Sequence, residues 1–286
     1  MLAAVKRYYR LTKPGIVYGN LFHAVVGLLF AHWLGLSLWN SMGVVIGVVC
    51  VVASACVANN LLDRTIDKQM ARTKKRALVT GEIDTYSAVL FSLILLTIGV
   101  VVLYRMTNVL TLVLGLVAYV WYVWIYGGAK RTTWLSTLIG TVPGALPAMA
   151  GYTAISGHLD STAWLLFWLV VFWQMPHFYA IALYRQKEYK AARLPVVSLV
   201  LSRSNIYWQM VGFTALYIAS ILALIWLHSL YWVAGALLLS AAVYWLVTIV
   251  RGRHTLSDTW ARLVFRQSLL LTIVLMIVAI VNVVLA

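Results

Sequence analysis

Acidic side chains are scarce in this chain, at seven among 286 residues, and proline (five) and cysteine (two) are scarcer still. Cys50 and Cys56 lie in one apolar run without metal-ligand or redox spacing, which excludes a disulfide scaffold and a thiolate-held metal and leaves both as packing residues. Only 10% of residues are charged, too few for a solvated domain surface. The basic residues give a formal net charge of +15, yet they are scattered over short segments with no basic domain to hold a duplex, so nucleic acid is excluded as a partner. Anionic lipid and an anionic substrate fit that charge better.

What fills the chain is apolar: 63% hydrophobic residues and a mean hydropathy of +0.92 describe a protein dissolved in lipid. Runs of about 20 apolar residues, long enough to cross a bilayer, fall near 16–35, 42–62, 86–104, 108–126, 134–154, 163–184, 206–227, 230–250 and 267–285. The expectation is an all-α polytopic membrane protein with nine transmembrane helices. Lysine and arginine collect on the cytoplasmic side of membranes, and this threading puts 21 of the 22 basic residues on one face, with Arg105 alone opposite. The N-terminus is then cytoplasmic. The first span is too long for a signal peptide and lacks an A-x-A-like site. The lack of an Arg- and Ser-rich transit segment favours a bacterial inner membrane.

The connections are unequal. Outer ones such as 104–108 and 228–230 are very short, whereas 63–85 and 185–205 are long and charged, which sets the active face toward the cytoplasm. These long loops follow the second and sixth spans, so the chain reads as one domain, 1–286, with two four-helix halves (about 14–126 and 134–250) and a ninth helix at about 267–285.

The scarce carboxylates mark the site. Asn59, Asp63 and Asp67 stand at i, i+4, i+8 along one face of a helix, at the inner end of an apolar span where ionisable groups are costly and point to function. Two carboxylates and an amide oxygen at this spacing suit Mg2+, which commonly bridges carboxylate to phosphate. The bland alternative is a solvated helix end with Asp63 and Asp67 paired to Arg64 and Lys68. Directly afterwards MARTKKR brings Arg72 and Arg76 at helical spacing around Lys74 and Lys75, a set suited to phosphate oxygens. Positive-inside anchoring accounts for the bases but not for the adjoining acids.

The segment Asn59-x3-Asp63-x3-Asp67, followed by Met70-x-Arg72-Thr73-x2-Arg76, resembles the first signature of the UbiA-type intramembrane prenyltransferases. Thr12-Lys13-Pro14-Gly15 with Asn20, Lys130-Arg131, GTVPGALP from Gly140 to Pro147 and WQMPHF from Trp173 to Phe178 are similar to the branch that farnesylates protohaem IX to haem O. The resemblance covers nearly the whole chain. It implies a nine-helix bundle around a central cavity, with farnesyl diphosphate and haem b as substrates. It also implies Asn59, Asp63 and Asp67 as Mg2+ ligands and Arg72, Arg76 and Lys130 as diphosphate contacts. Where many relatives have a second aspartate run, YRQKEYKAARLP offers one acid, Glu188. Arg185 and Lys187 are therefore expected at the diphosphate, and Glu188 is either a second metal ligand or a surface charge. Delivery of the product to a haem A synthase or a terminal oxidase follows from the same resemblance.

Aromatic faces can hold an allylic cation in a dry cavity, and Tyr119, Trp121, Tyr122, Tyr126, Phe172, Trp173 and Phe178 are candidates. Against them stands ordinary packing. His177, beside Pro176, is expected to aim into the cavity through a break in the helix and to bind haem; His23 is a second haem candidate. The alternatives are a related prenyltransferase acting on a quinone precursor or chlorin, a haem-binding protein without catalysis, and an ion-coupled transporter. A transporter would carry its charges near the midplane.

Overall fold

An unpaired backbone N–H or C=O in hydrocarbon costs several kcal/mol, so each apolar run closes its own hydrogen bonds as a helix. The computed structural model describes residues 2–70 and 73–285, and among them helix is the only regular structure. Ten long helices run in chain order: α1 (Leu2–Leu11), α2 (Pro14–Phe30), α3 (Leu38–Leu62), α4 (Thr85–Met106), α5 (Val109–Thr132), α6 (Ser136–Ser156), α7 (Ser161–Tyr184), α8 (Arg203–Trp226), α9 (Trp232–Arg251) and α10 (Asp258–Leu285). Short helical turns at Arg64–Asp67, Ala77–Thr80, Gln186–Ala191 and Val197–Val200 punctuate the two long loops. Among the described residues, α3 to α10 are eight helices long and apolar enough to span a membrane. The ninth, α2, has 17 residues and so measures about 25 Å.

Capping chemistry fixes several starts. Side-chain oxygens of Ser37, Asp84, Asn108, Asp160 and Ser202 each accept from a backbone N–H in the first turn of the following helix. Several boundaries differ from expectation, α3 starting at Leu38 rather than residue 42 and α5 running on to Thr132 rather than residue 126. The first helix stops at Phe30 rather than residue 35, because a 3-10 turn (His32–Leu34) and Gly35 at φ 86° redirect the chain. The last begins at Asp258 rather than 267: Arg262 and Arg266 lower the hydropathy of its first turns without disfavouring helix. Arg203 anchors that start by donating to Asp258 Oδ1 at 2.9 Å.

Helices α2, α6 and α7 form the centre, with α3 paired to α4, α7 to α8 and α9 to α10. Lipid gives apolar helices no reason to associate, so close approach and hydrogen bonds must do it. Ser54 of α3 and Ser92 of α4 bond each other reciprocally, Ser54 Oγ reaching the Ser92 carbonyl at 2.7 Å. The α2–α6 crossing is tighter: a Cβ on Gly27 would collide with the Ala148 carbonyl and one on Gly151 with the Ala24 carbonyl. Those collisions are with backbone, which cannot swing aside. We expect Gly151→Val to lower stability by about 2 kcal/mol or more through overpacking, measured as earlier thermal unfolding in detergent, with Gly212→Ala, where a Cβ meets nothing within 4 Å, as the neutral comparison.

Candidate active site

The face predicted for Asn59, Asp63 and Asp67 survives the end of α3. Asp63 N donates to the Asn59 carbonyl at 2.9 Å and Asp67 N to the Asp63 carbonyl at 2.8 Å, so the helical register continues through the Arg64–Asp67 turn. All three side chains are buried. Buried carboxylates need partners, and these come from distant elements. Lys130, near the end of α5, donates to Asp63 Oδ2, and Arg131 reaches Asp63 Oδ1 at 3.2 Å. Arg76 donates to Asp67 Oδ2 at 2.6 Å and to Asn60 Oδ1 at 2.9 Å, and Asn60 in turn donates to the Leu11 carbonyl at 2.8 Å. Lys13, in a left-handed conformation at the start of α2, donates to Asn59 Oδ1 at 2.7 Å. Burial lowers the Lys13 pKa to about 8.

The bland pairing of Asp63 and Asp67 with Arg64 and Lys68 is not what forms. Neighbours in a helical turn face different directions, and Arg64 donates to Thr85 Oγ1 at 3.5 Å instead. Lys13, Asn60 and Arg131 belong to the cluster though sequence reasoning gave them no role. Each had a signal: Lys13 in the TKPG motif, Asn60 in the Asn59-Asn60 doublet, Arg131 beside Lys130. Arg72 lies outside the described residues.

Above this charged cluster opens a cavity of about 470 Å³, of the size that small-molecule sites use. Val51, Val52 and Ala118 furnish apolar wall; Tyr119, Tyr122, Tyr126 and Phe178 furnish aromatic wall. Lys130 also lines it, with its ammonium 5.5 Å from the Tyr126 ring centre, so the charged mouth and the aromatic chamber meet at one residue. Tyr126 stacks on Tyr122 at 5.6 Å between ring centres. Both belong to a π-helical turn, Trp121–Tyr126, an irregularity common at functional sites. Trp121 itself turns away from the chamber and donates to the Ile139 carbonyl at 2.9 Å.

The second long loop lines the cavity through Tyr189, Leu194 and Val196, but its charged side chains do not join the carboxylate cluster. Arg185 Nη1 stands 3.6 Å from Glu188 Oε2 and lies over the Tyr184 ring, and Lys187 lines a separate pocket. Among the described residues no group of three His, Cys, Asp or Glu side chains could hold a metal, either at Glu188 or at Asp63 and Asp67. The histidines also differ from expectation. Helix α7 runs unbroken through Pro176 and presents Gln174, Phe178 and Ile181 to the cavity. His177, one step round the helix, hydrogen bonds through Nδ1 to Ser268 Oγ of α10 at 2.7 Å and stacks on Trp173 at 4.8 Å. His23 meets the Trp173 ring edge-on at 5.3 Å. Neither lines the central cavity.

Residues 20–270 match the UbiA prenyltransferase family. The chain belongs to that family. It is 37% identical over 95% of its length to a protein named protoheme IX farnesyltransferase from Protochlamydia amoebophila, covering 96% of that protein. It is 47% identical to one of the same name from Aliivibrio salmonicida, over 68% of each chain. Solved structures share the fold at low identity. A digeranylgeranylglyceryl phosphate synthase superposes with a TM-score of 0.83 at 16% identity, over 99% of both chains. A UbiA homologue from Archaeoglobus fulgidus bound to GPP and Mg2+ superposes with a TM-score of 0.74 at 16% identity, over 97% of this chain and 99% of that one.

Within a UbiA chain this cluster holds together through Arg76, which joins Asp67 to Asn60. Arg76→Leu leaves a buried carboxylate without its cation, a loss expected to cost about 2 kcal/mol or more. Arg76→Lys keeps the charge but gives up the guanidinium whose Nη1 donates to both oxygens, and is expected to recover part of the loss. Thermal unfolding of both variants in detergent checks this.

Proposed function

We propose that this protein transfers the farnesyl group of farnesyl diphosphate to a vinyl group of protohaem IX, with addition of water, giving haem O and diphosphate. The observation that carries the reading is the junction at Lys130 between a cationic cluster holding two carboxylates and an aromatic, otherwise apolar chamber. The identity over nearly the whole chain with proteins named for this reaction supports the acceptor. The charges crowd at one end of the bundle rather than at mid-membrane, which disfavours the transporter alternative. We place the protein in a bacterial inner membrane with this basic end toward the cytoplasm. We also read the chain as one domain of two four-helix halves and a last helix; the α3–α4 and α7–α8 pairs occupy corresponding places in the two.

The donor set fits Mg2+. Asp63 and Asp67 offer hard oxygens on one face beside the Asn59 Oδ1, which here accepts from Lys13, and the buried Asn59 Nδ2, without a hydrogen-bond partner, is a donor left for a phosphate oxygen. Few protein ligands suffice, because Mg2+ keeps waters and takes phosphate oxygens. Asn59, Asp63 and Asp67 would hold it, and when bound it would neutralise charge developing on the departing diphosphate. Arg76, Lys130 and Arg131, now on the carboxylates, are placed to turn to phosphate oxygens, and Lys13 adds a fourth cation. In the transfer the farnesyl C1–O bond breaks with its electron pair going to diphosphate. The vinyl π electrons then form the bond to C1. Water captures the cation left beside the macrocycle and gives up a proton to become the hydroxyl. The ring faces of Tyr122 and Tyr126 stabilise positive charge at the chamber mouth, and the apolar wall keeps stray water from the allylic cation.

The test is to incubate purified protein with farnesyl diphosphate, Mg2+ and reduced haem b, following haem mass and diphosphate release. The expected product is haem heavier by a farnesyl group plus a hydroxyl, formed only with Mg2+. Asp63→Asn and Asp67→Asn are each expected to lower kcat by about 10² to 10³. Turnover with a different acceptor and none with haem b would overturn the assignment of protohaem.

A further inference from the structure

The second long loop carries cations that the diphosphate site does not use. Lys187, Lys190 and Arg193 line an open pocket of about 760 Å³ at the basic end, together with Gln186, Leu194 and Pro195. No acidic side chain lines it. Among the other cations at this end, Arg76, Lys130, Arg131 and Arg203 pair with carboxylates. Lys187, Lys190 and Arg193 have no side-chain hydrogen bond or ion pair among the described residues. Three cations are thus gathered around one opening with nothing to neutralise them.

The pocket is built rather than incidental. Gln186 Nε2 donates to the Ser198 carbonyl at 2.5 Å, and Ser198 Oγ donates to the Ala182 carbonyl of α7 at 2.7 Å, which clamps both ends of the loop to the bundle. Arg193 sits at φ 52°, a left-handed conformation that a side chain adopts only at a cost. Its N–H and that of Leu194 hold the turn by donating to the Lys190 and Tyr189 carbonyls at 3.1 and 3.2 Å. The same segment walls the central cavity through Tyr189, Leu194 and Val196, and Leu194 belongs to both walls. Whatever occupies the basic pocket therefore adjoins the chamber.

We propose that Lys190 and Arg193, with Lys187 beside them, bind the two propionates of the porphyrin acceptor and so aim its vinyl edge past Leu194 into the farnesyl chamber. The inference rests on the reading of protohaem as acceptor. Protohaem carries its propionates on one side of the macrocycle and its vinyls on the other. A vinyl entering the chamber leaves the carboxylates outside, where paired cations would receive them. The two anions of the reaction are then divided: diphosphate at the Asp63–Asp67 side, porphyrin carboxylates at residues 187–193. An anionic lipid headgroup shares part of this chemistry and has to be separated by experiment.

The experiment titrates detergent-solubilised protein, free of anionic lipid, with haem b and with haem b dimethyl ester, reading binding from the Soret band. Wild-type protein is expected to bind haem b about tenfold or more tightly than the ester, the worth of one or two charge-assisted contacts. Lys190→Gln/Arg193→Gln is expected to bind both at the ester's level, while Lys190→Arg/Arg193→Lys keeps the preference. Farnesyl diphosphate binding without haem serves as the folding control. Equal binding of haem b and ester by wild-type protein overturns the proposal without recourse to any variant. So does a preference that persists in the glutamine variant. If that variant instead loses affinity for phosphatidylglycerol vesicles with its haem preference intact, the pocket belongs to lipid and the proposal falls. Absence of farnesyl transfer with the preference present would refute the proposed reaction and leave the propionate site standing.

Discussion

Two carboxylates buried where an apolar helix meets the polar face cannot stand alone, and their need for cations organises this end of the molecule. Desolvating a charge costs several kcal/mol unless a partner replaces the lost water. Asp63 and Asp67 draw Lys130 and Arg131 from the end of α5 and Arg76 from the loop after α3, while Asn59 holds Lys13 from the corner between α1 and α2. Four cations converge on two acids and one amide. The excess of positive charge makes the assembled site an acceptor for anions even after the carboxylates are satisfied. A lysine as desolvated as Lys13 gains more from an arriving phosphate than an exposed one does, because it has less water to give up.

That arrangement explains why the acids were legible from sequence and their partners were only partly so. Helical spacing fixes which side chains of one segment share a face, so Asn59, Asp63 and Asp67 emerge together and the register holds past Leu62. Spacing says nothing about which distant cation arrives. Lys130 is 67 residues from Asp63 and Lys13 is 46 from Asn59, and only the family resemblance marked Lys130. The spans were legible for the same reason as the acids, since hydropathy reports burial in lipid directly. The ends of the first and last spans were not, because a glycine-directed turn and interfacial arginines change hydropathy and helicity independently. His177 shows the remaining gap. A proline inside a helix need not break it when neighbouring helices support the backbone, so Pro176 did not redirect the imidazole, and the ring found Ser268.

The chamber depends on two local irregularities that answer one another. Pro143 of α6 has no N–H, so the Ile139 carbonyl loses its helical donor. Trp121, at the start of the π-helical turn in α5, supplies the missing donor through its indole N–H. The widened turn places Tyr122 and Tyr126 four residues apart as a stacked pair, and Gly140 gives the second ring room, since a Cβ there would meet it at 2.9 Å. Tyr126 then lies under Lys130, which also holds Asp63. A regular α6 would leave Trp121 without its acceptor, since the Ile139 carbonyl would then be taken by a backbone N–H. Each departure from ideal helix is tolerable because the other exists. Their joint product is an aromatic surface set directly beneath the cations, where a leaving diphosphate and the carbocation it leaves behind need opposite environments a few ångströms apart.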